Sequence, residues 1–310
     1  MKSVGLSLLV WLTLIFSPPL QARCIGVVTA GGGPDYWQFV EQGAKQAGRE
    51  LGVGVVVGGA ADEINTEGQR TVIRSILSAG CKAVVLAPNS PELKKDVAML
   101  KAQGIPTVFV DRDYGGDRVS VIKTANFSAG EVAAHEMQKV LGTGGKVALL
   151  RMDKSVLPST LREDGFAKVA GEAGLDIVIE VYLCTMVEEE RATAYSVLKQ
   201  HPNIDGVFTP NQSTSVAVLK ALQQLGRAGK VVHIGFDSHP SVIEGVRNGE
   251  VYGFVLQQPF VMGYKGVYAA YYAMRGIPFQ QVIDVPVRFV DRTNINDSDV
   301  RKALGIEASD

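Results

Sequence analysis

From residue 24 onward the chain alternates short, unbroken apolar runs with longer amphipathic segments, and it does so almost to its end. The runs at 24–29, 53–57, 83–86 and 105–110 are rich in Val, Ile and Leu and show no polar–apolar alternation. Strands of that kind are covered on both faces, the condition of a parallel sheet packed between helices. Between the first two runs, Trp37, Val40, Ala44, Ala47 and Leu51 recur on one face of a helix. Further helices are expected around Ile73, Ile76 and Leu77 and over 91–103. The rhythm resumes after Asn126, with strands expected at 146–150, 177–181, 206–209, 231–236, 251–256 and 285–290. Helices are expected up to about 141 and over 162–173, 188–199, 216–225, 242–247 and 262–275. Alternation on this scale implies parallel strands joined by right-handed crossovers. There are too many elements for one compact sheet, so the economical α/β arrangement is two Rossmann-like lobes of similar topology.

The first 22 residues have a different character. Lys2 gives a positive start, residues 4–16 form an apolar core, and Leu20-Gln21-Ala22 places a small residue before Arg23. That is the pattern of a secretory signal peptide cut after Ala22; a retained N-terminal anchor is the other reading. The core is too short to span a bilayer, and no later run reaches the roughly 18 apolar residues that spanning requires. Removing 22 of the 310 residues leaves 288, and Lys2 is the only charge lost, so 30 basic side chains face 32 acidic ones. This near-neutral balance gives no reason to expect nucleic acid or acidic lipid as partner. Export also sets aside cytosolic metabolism.

Ligands of open parallel sheets sit outside the carboxyl ends of the strands. Strand ends here deliver 31–37, 87–90, 111–113, 151–162, 209–213, 237–239 and 257–259, segments rich in Asp, Asn, Gln, Arg and aromatic residues. No Ser-His-Asp or Cys-His arrangement stands out and no G-x-S-x-G is present, so no catalytic residue is assigned. Gly31-Gly32-Gly33 is followed by Tyr36 where a dinucleotide fingerprint needs its last glycine, so no cofactor is expected. The four histidines lack metal-ligand spacing, and Asp113 has no carboxylate cluster around it, so no metal is expected either.

The strand-end residues suit a polyhydroxylated ligand. Asp111 accepts from adjacent hydroxyls while Arg112 donates a planar fork. Tyr36 and Trp37 offer apolar faces, although Trp37 equally fits the core stripe of its helix. Asn211 and Asp237 each follow a strand and are either ligand contacts or helix N-caps. Gln257 is a contact or a hinge residue. Arg162 falls in the first turn of the helix expected over 162–173, a poor place for a cation unless a carboxylate or ligand faces it.

Three cysteines, Cys24, Cys81 and Cys184, occur without a C-x-x-C. Arg23 stands where lipid attachment at Cys24 would need a small residue. In a sheet of order 2-1-3-4-5, Cys24 and Cys81 begin neighbouring strands at the edge away from the ligand. Strands about 4.8 Å apart suit the Cα separation of about 4.4–6.8 Å that a disulfide needs. A Cys24–Cys81 disulfide with Cys184 free is therefore expected; two reduced cysteines on opposite faces are the alternative.

Six segments, in order, carry a resemblance. They are Tyr36-Trp37 with Glu41-Gln42-Gly43-Ala44; Gly104-Ile105-Pro106-Thr107-Val108 leading to Asp111-Arg112; and Arg162-Glu163-Asp164-Gly165-Phe166. The others are Phe208-Thr209-Pro210-Asn211; Ile234-Gly235-Phe236-Asp237; and Gln257-Gln258-Pro259 with Met262-Gly263. Together they resemble periplasmic sugar-binding proteins of the ribose-binding type, type I periplasmic binding proteins whose ligand domain is shared with lactose-repressor-like regulators. The resemblance implies two lobes joined by three crossing strands near 123–126, 256–258 and 283–285, closing on a ligand. It implies an N-terminal lobe of 23–124 plus 258–284, a C-terminal lobe of 125–257 plus 285–295, and a polar tail over 296–310. It further implies a monomeric, non-enzymatic periplasmic protein that captures a sugar and delivers it to the permease of an ABC importer. A sensory receptor presenting its ligand to a membrane histidine kinase or chemoreceptor is the alternative. An exported glycosidase using Asp111 and Asp237 as its carboxylate pair is a third reading. Ala87 stands where an asparagine often contributes a contact, and Thr160 where ribose binders carry a second arginine; both argue against ribose itself.

Overall fold

The computed structural model describes residues 24–31, 35–183 and 187–305. The segment expected to be a signal peptide (1–22), Gly32, Gly33, Cys184 and the last five residues of the tail lie outside them. The first half runs β1 (Cys24–Thr29), α1 (Asp35–Leu51), β2 (Gly54–Gly59), α2 (Thr66–Ser78), β3 (Ala83–Leu86), a 3₁₀ turn (Pro91–Leu93), α3 (Lys94–Ala102), β4 (Thr107–Val110) and β5 (Ser120–Thr124). Next come α4 (Asn126–Leu141), β6 (Lys146–Arg151), α5 (Leu157–Glu172), β7 (Asp176–Tyr182), α6 (Val187–Gln200), β8 (Gly206–Phe208), α7 (Gln212–Gln224), β9 (Val232–Phe236), α8 (Pro240–Asn248) and β10 (Gly253–Leu256). The chain ends with α9 (Pro259–Ala273), β11 (Val282–Val285), β12 (Arg288–Asp291) and α10 (Ser298–Ala303). No helix among the described residues is long and apolar enough to cross a membrane.

The strands form two six-stranded sheets, ordered β11-β5-β4-β3-β1-β2 and β12-β10-β9-β8-β6-β7. Every pairing in the first sheet is parallel. In the second, only β12 against β10 is antiparallel. Central strands β1, β3 and β4 are buried at every residue, as their unbroken apolar runs require. The edge strand β7 instead alternates between exposed and covered positions.

In each sheet one helix pair touches backbone to backbone. A Cβ on Gly43 of α1 would fall on the Phe260 carbonyl of α9, and one on Gly263 of α9 on the Val40 carbonyl of α1. Gly130 of α4 meets the Arg162 carbonyl of α5, and Gly165 of α5 the Phe127 carbonyl of α4, in the same way. Only glycine permits such approach.

The chain passes between the sheets three times. It leaves the first after Thr124 and starts α4 at Asn126. It leaves the second after Leu256, and α9 then packs against α1. The third passage corrects the single strand expected over 285–290. Val285 pairs with Thr124 in the first sheet and Arg288 with Leu256 in the second. Pro286, which has no N–H to give a ladder, lies between the two strands. Strand β5, absent from the strands expected above, completes the first sheet's run of 2-1-3-4-5. Helix α5 begins at Leu157, with Pro158 in its first turn. Arg162 therefore lies in the second turn, and the first-turn argument for it falls away.

Cys24 and Cys81 are joined in a disulfide with Cα atoms 4.4 Å apart. Within the tail, α10 and the residue after it bury Val300 and Leu304 against Val242, Val246 and Phe254.

Candidate ligand-binding site

The carboxyl ends of the two sheets enclose a cavity of about 470 Å³. All eight residues chosen at strand ends line it: Tyr36, Trp37, Asp111 and Arg112 from the first lobe, Arg162, Asn211, Asp237 and Gln257 from the second. Ala87 and Thr160 are not among its lining.

Asp111 and Asp237 follow β4 and β9 and share an unusual backbone. Their φ angles are 66° and 64°, in the left-handed region, which short polar side chains tolerate better than most. Each N–H is fixed 2.9 Å from a carbonyl of the next strand, Ile122 for Asp111 and Val255 for Asp237. The two lobes thus present one carboxylate apiece by the same local device.

In the first lobe, Tyr36 donates its hydroxyl to Asp111 Oδ1 at 2.7 Å. Burial, followed by the Asp111 carboxylate, raises the Tyr36 pKa well above its ordinary value. Arg112 is buried, and its Nε lies 3.3 Å from Asp111 Oδ2. Its Nη2 pairs with Glu63, and its Nη1 donates to the Glu63 carbonyl at 3.4 Å. Burial alone would lower the Arg112 pKa; Glu63 and Asp111 outweigh it and hold the guanidinium charged. Trp37 takes the core role left open for it, and it also lines the cavity. Its ring belongs to the core and its Nε1 donates to Glu63 Oε1 at 3.0 Å.

In the second lobe, Arg162 donates through Nε to Asn126 Oδ1 at 2.8 Å and through Nη1 to the Pro210 carbonyl at 3.0 Å. Its guanidinium lies 4.1 Å from the Phe236 ring centre and 3.8 Å from Asp237 Oδ2. Burial pushes the Asp237 pKa up to about 6, against the lowering effects of Arg162 and Gln257. Gln257 donates to Asp237 Oδ1 at 2.8 Å and accepts from Thr124 Oγ1 at 2.7 Å. It is both a cavity wall and a link between two chain crossings. Asn211 caps α7 through the Thr214 N–H at 3.1 Å, while its Nδ2 faces Met152 Sδ at 3.0 Å and Ser213 Oγ at 3.2 Å.

Sequence reasoning passed over Glu63, and it named the segments that hold Met152, Ser159 and Ser213 without singling these residues out; all four line the cavity. Behind Ser213 lies buried Glu190, whose Oε1 accepts the Ser213 hydroxyl at 2.8 Å and whose Oε2 has no partner. Burial raises the Glu190 pKa to about 7. His233, fully buried in β9 with Nε2 3.0 Å from Thr209 Oγ1, is pushed down to about 3 and stays neutral. No group of three or more His, Cys, Asp or Glu among the described residues is arranged to hold a metal. What the cavity offers is a ring of carboxylates and guanidiniums beside aromatic and thioether surface. That set matches a compact ligand with polar edges and apolar faces.

Comparison with known proteins gives a consistent result. The family model of the periplasmic binding protein domain matches residues 25–278. The ribose import binding protein of Salmonella typhimurium is 25% identical over 261 residues, spanning 82% of this chain and 86% of that protein. The periplasmic component of an ABC-type sugar transport system from Hahella chejuensis is 32% identical with a TM-score of 0.81, over 86% of this chain and 99% of that one. A carbohydrate transporter solute-binding protein from Agrobacterium radiobacter, solved with D-arabinose, is 25% identical with a TM-score of 0.84, over 92% and 99% of the two chains.

Proposed function

We propose, because this chain belongs to the periplasmic binding protein domain family, that it captures a sugar between its two lobes and delivers it to an ABC importer. One observation carries the reading: Asp111 and Asp237, held in the same strained conformation at matching strand ends, line one cavity from opposite lobes. A ligand that bonds to both lobes favours the closed arrangement over the open one. The relatives support the importer over the sensor, since they are named as import binding proteins and transporter components. In this reading the protein is a monomer of the periplasm, without enzymatic activity, and its partner is the membrane permease. The lobes are 23–124 plus 258–284 and 125–257 plus 285–295. Its ligand contacts are Tyr36, Trp37, Asp111, Arg112, Arg162, Asn211, Asp237 and Gln257.

A melting screen over pentoses, hexoses and polyols tests it, with amino acids and nucleosides as controls. A cognate sugar at 100 times its dissociation constant adds about 2.7 kcal/mol of stability. One cluster of related sugars is expected to raise the melting temperature. Shifts with amino acids or nucleosides alone would sink the sugar reading.

A further inference from the structure

We infer that Glu63 sets the charge class of the ligand, admitting neutral and aminated sugars and turning away carboxylated and phosphorylated ones. The inference rests on the sugar-binding reading above and deepens it. Glu63 sits in the loop after β2, where its carboxylate reaches inward from the cavity wall. Its side chain is 26% exposed, against 2% for the Arg112 side chain it pairs with. It takes the Trp37 indole N–H at 3.0 Å and the Arg112 Nη2, while its carbonyl takes Arg112 Nη1 at 3.4 Å. The remaining first-lobe donors are also engaged, Arg112 Nε with Asp111 at 3.3 Å and the Tyr36 hydroxyl with Asp111 at 2.7 Å.

Across the cavity, Arg162 is committed to Asn126, the Pro210 carbonyl and Asp237. The lining therefore holds four carboxylates, Asp62, Glu63, Asp111 and Asp237, against two guanidiniums that already have partners. A carboxylate or phosphate on the ligand meets a surplus of like charge and must displace Glu63 to reach Arg112. A hydroxyl or ammonium group instead finds carboxylate lone pairs ready to accept. Specificity of this kind comes from the repulsive element as much as from the attractive one. Without Glu63, Arg112 and Trp37 turn back into donors for an anion.

Calorimetry on the mature protein tests this with matched sets. Glucose, galactose and mannose are each titrated beside their 2-amino and uronate forms, and ribose beside ribose 5-phosphate. In the wild type the acidic member of any set that binds is expected to be weaker than its neutral partner by about a hundredfold or more. Glu63→Gln is expected to narrow that gap by about tenfold. Glu63→Asp, which keeps the charge, is expected to preserve it. A wild type that binds an acidic sugar as tightly as its neutral partner overturns the inference. So does a folded Glu63→Gln with the gap unchanged, while sugar binding itself stands. If Glu63→Gln does not fold, the wild-type gap decides alone. Where none of these sets binds, the sugar that the melting screen picks out is titrated beside its own carboxylated or phosphorylated form and the same gap decides; a protein that takes no sugar in either experiment overturns the sugar reading, and the inference with it.

Discussion

Asp111 and Asp237 sit where few residues are comfortable, so the choice of substitution matters. Asparagine tolerates the left-handed backbone, whereas alanine adds roughly 1–2 kcal/mol of strain. Asp111→Asn and Asp237→Asn are expected to weaken sugar binding by about 1.5–3 kcal/mol each, with melting temperatures near wild type. The alanine variants are expected to lose stability as well. Unchanged affinity in both asparagine variants would remove these carboxylates from the site. Glu190 carries a second prediction, on stability. Its folded pKa of about 7 lies above the ordinary 4.5, so the folded state holds the proton longer than the unfolded chain. That contribution is complete below about pH 4.5 and is lost as pH rises toward about 7. Glu190→Gln escapes the loss. Its stability relative to wild type is expected to climb over that window, by as much as about 3 kcal/mol; denaturant titrations showing a flat difference would contradict it. Strand-end reasoning reaches Asp111 and Asp237 because unbroken apolar runs announce the strands before them. It does not reach Glu63, because the run at 53–57 reads as finished before Gly58-Gly59, which in fact extend β2 and deliver the loop behind it to the cleft. Glu190 is hidden for a different reason. Its burial comes from the packing of α6 on α7, which no local pattern displays.

At the level of elements, the glycines of the recurring motifs find a physical role. Gly43, Gly165 and Gly263 do not touch the cavity; they let α1 meet α9 and α4 meet α5 at backbone distance. Gly130→Ala would drive a methyl group into the Arg162 carbonyl. We expect a loss of roughly 1–3 kcal/mol or more, together with weaker ligand binding as α5 shifts and carries Arg162 with it. Gly171→Ala, in the same α5 but with open space around it, is the control, expected to gain up to about 1 kcal/mol. Equal denaturation midpoints for the two variants would refute this account. The helices and buried strands are legible because their periodicities differ so sharply. The misread elements are those where a local signal is overruled or faint. Pro158 marks the true start of α5, five residues ahead of the first one assigned from periodicity. Pro286 divides one apolar stretch between two sheets. Strand β5 has only Val121 and Ile122 as apolar residues among Ser120, Lys123 and Thr124, so its pattern is weak.

For the whole molecule, the disulfide and the cavity lie at opposite ends of the first sheet. Cys24 begins β1 and Cys81 precedes β3, whereas the ligand residues follow the strands' carboxyl ends. The bridge closes a loop with a sequence separation of 57, and its removal is expected to cost about 2–4 kcal/mol. Cys24→Ser with Cys81→Ser should therefore melt earlier than wild type yet bind sugar with nearly the same affinity. An equally large fall in affinity would mean that the bridge reaches the site. The three passages between sheets have a further consequence, in time rather than in space. Helix α9 and strand β11 come from 259–285, after helices α4 to α8 and every parallel strand of the second sheet have been made. A ribosome thus completes the second lobe's parallel framework while the first still lacks the helix that covers Gly43 and the strand that closes its edge. The half that is begun first waits for α9 and β11 until most of the second is in place, so a nascent chain arrested before residue 259 would present the Gly43 face of α1 unburied to any chaperone within reach.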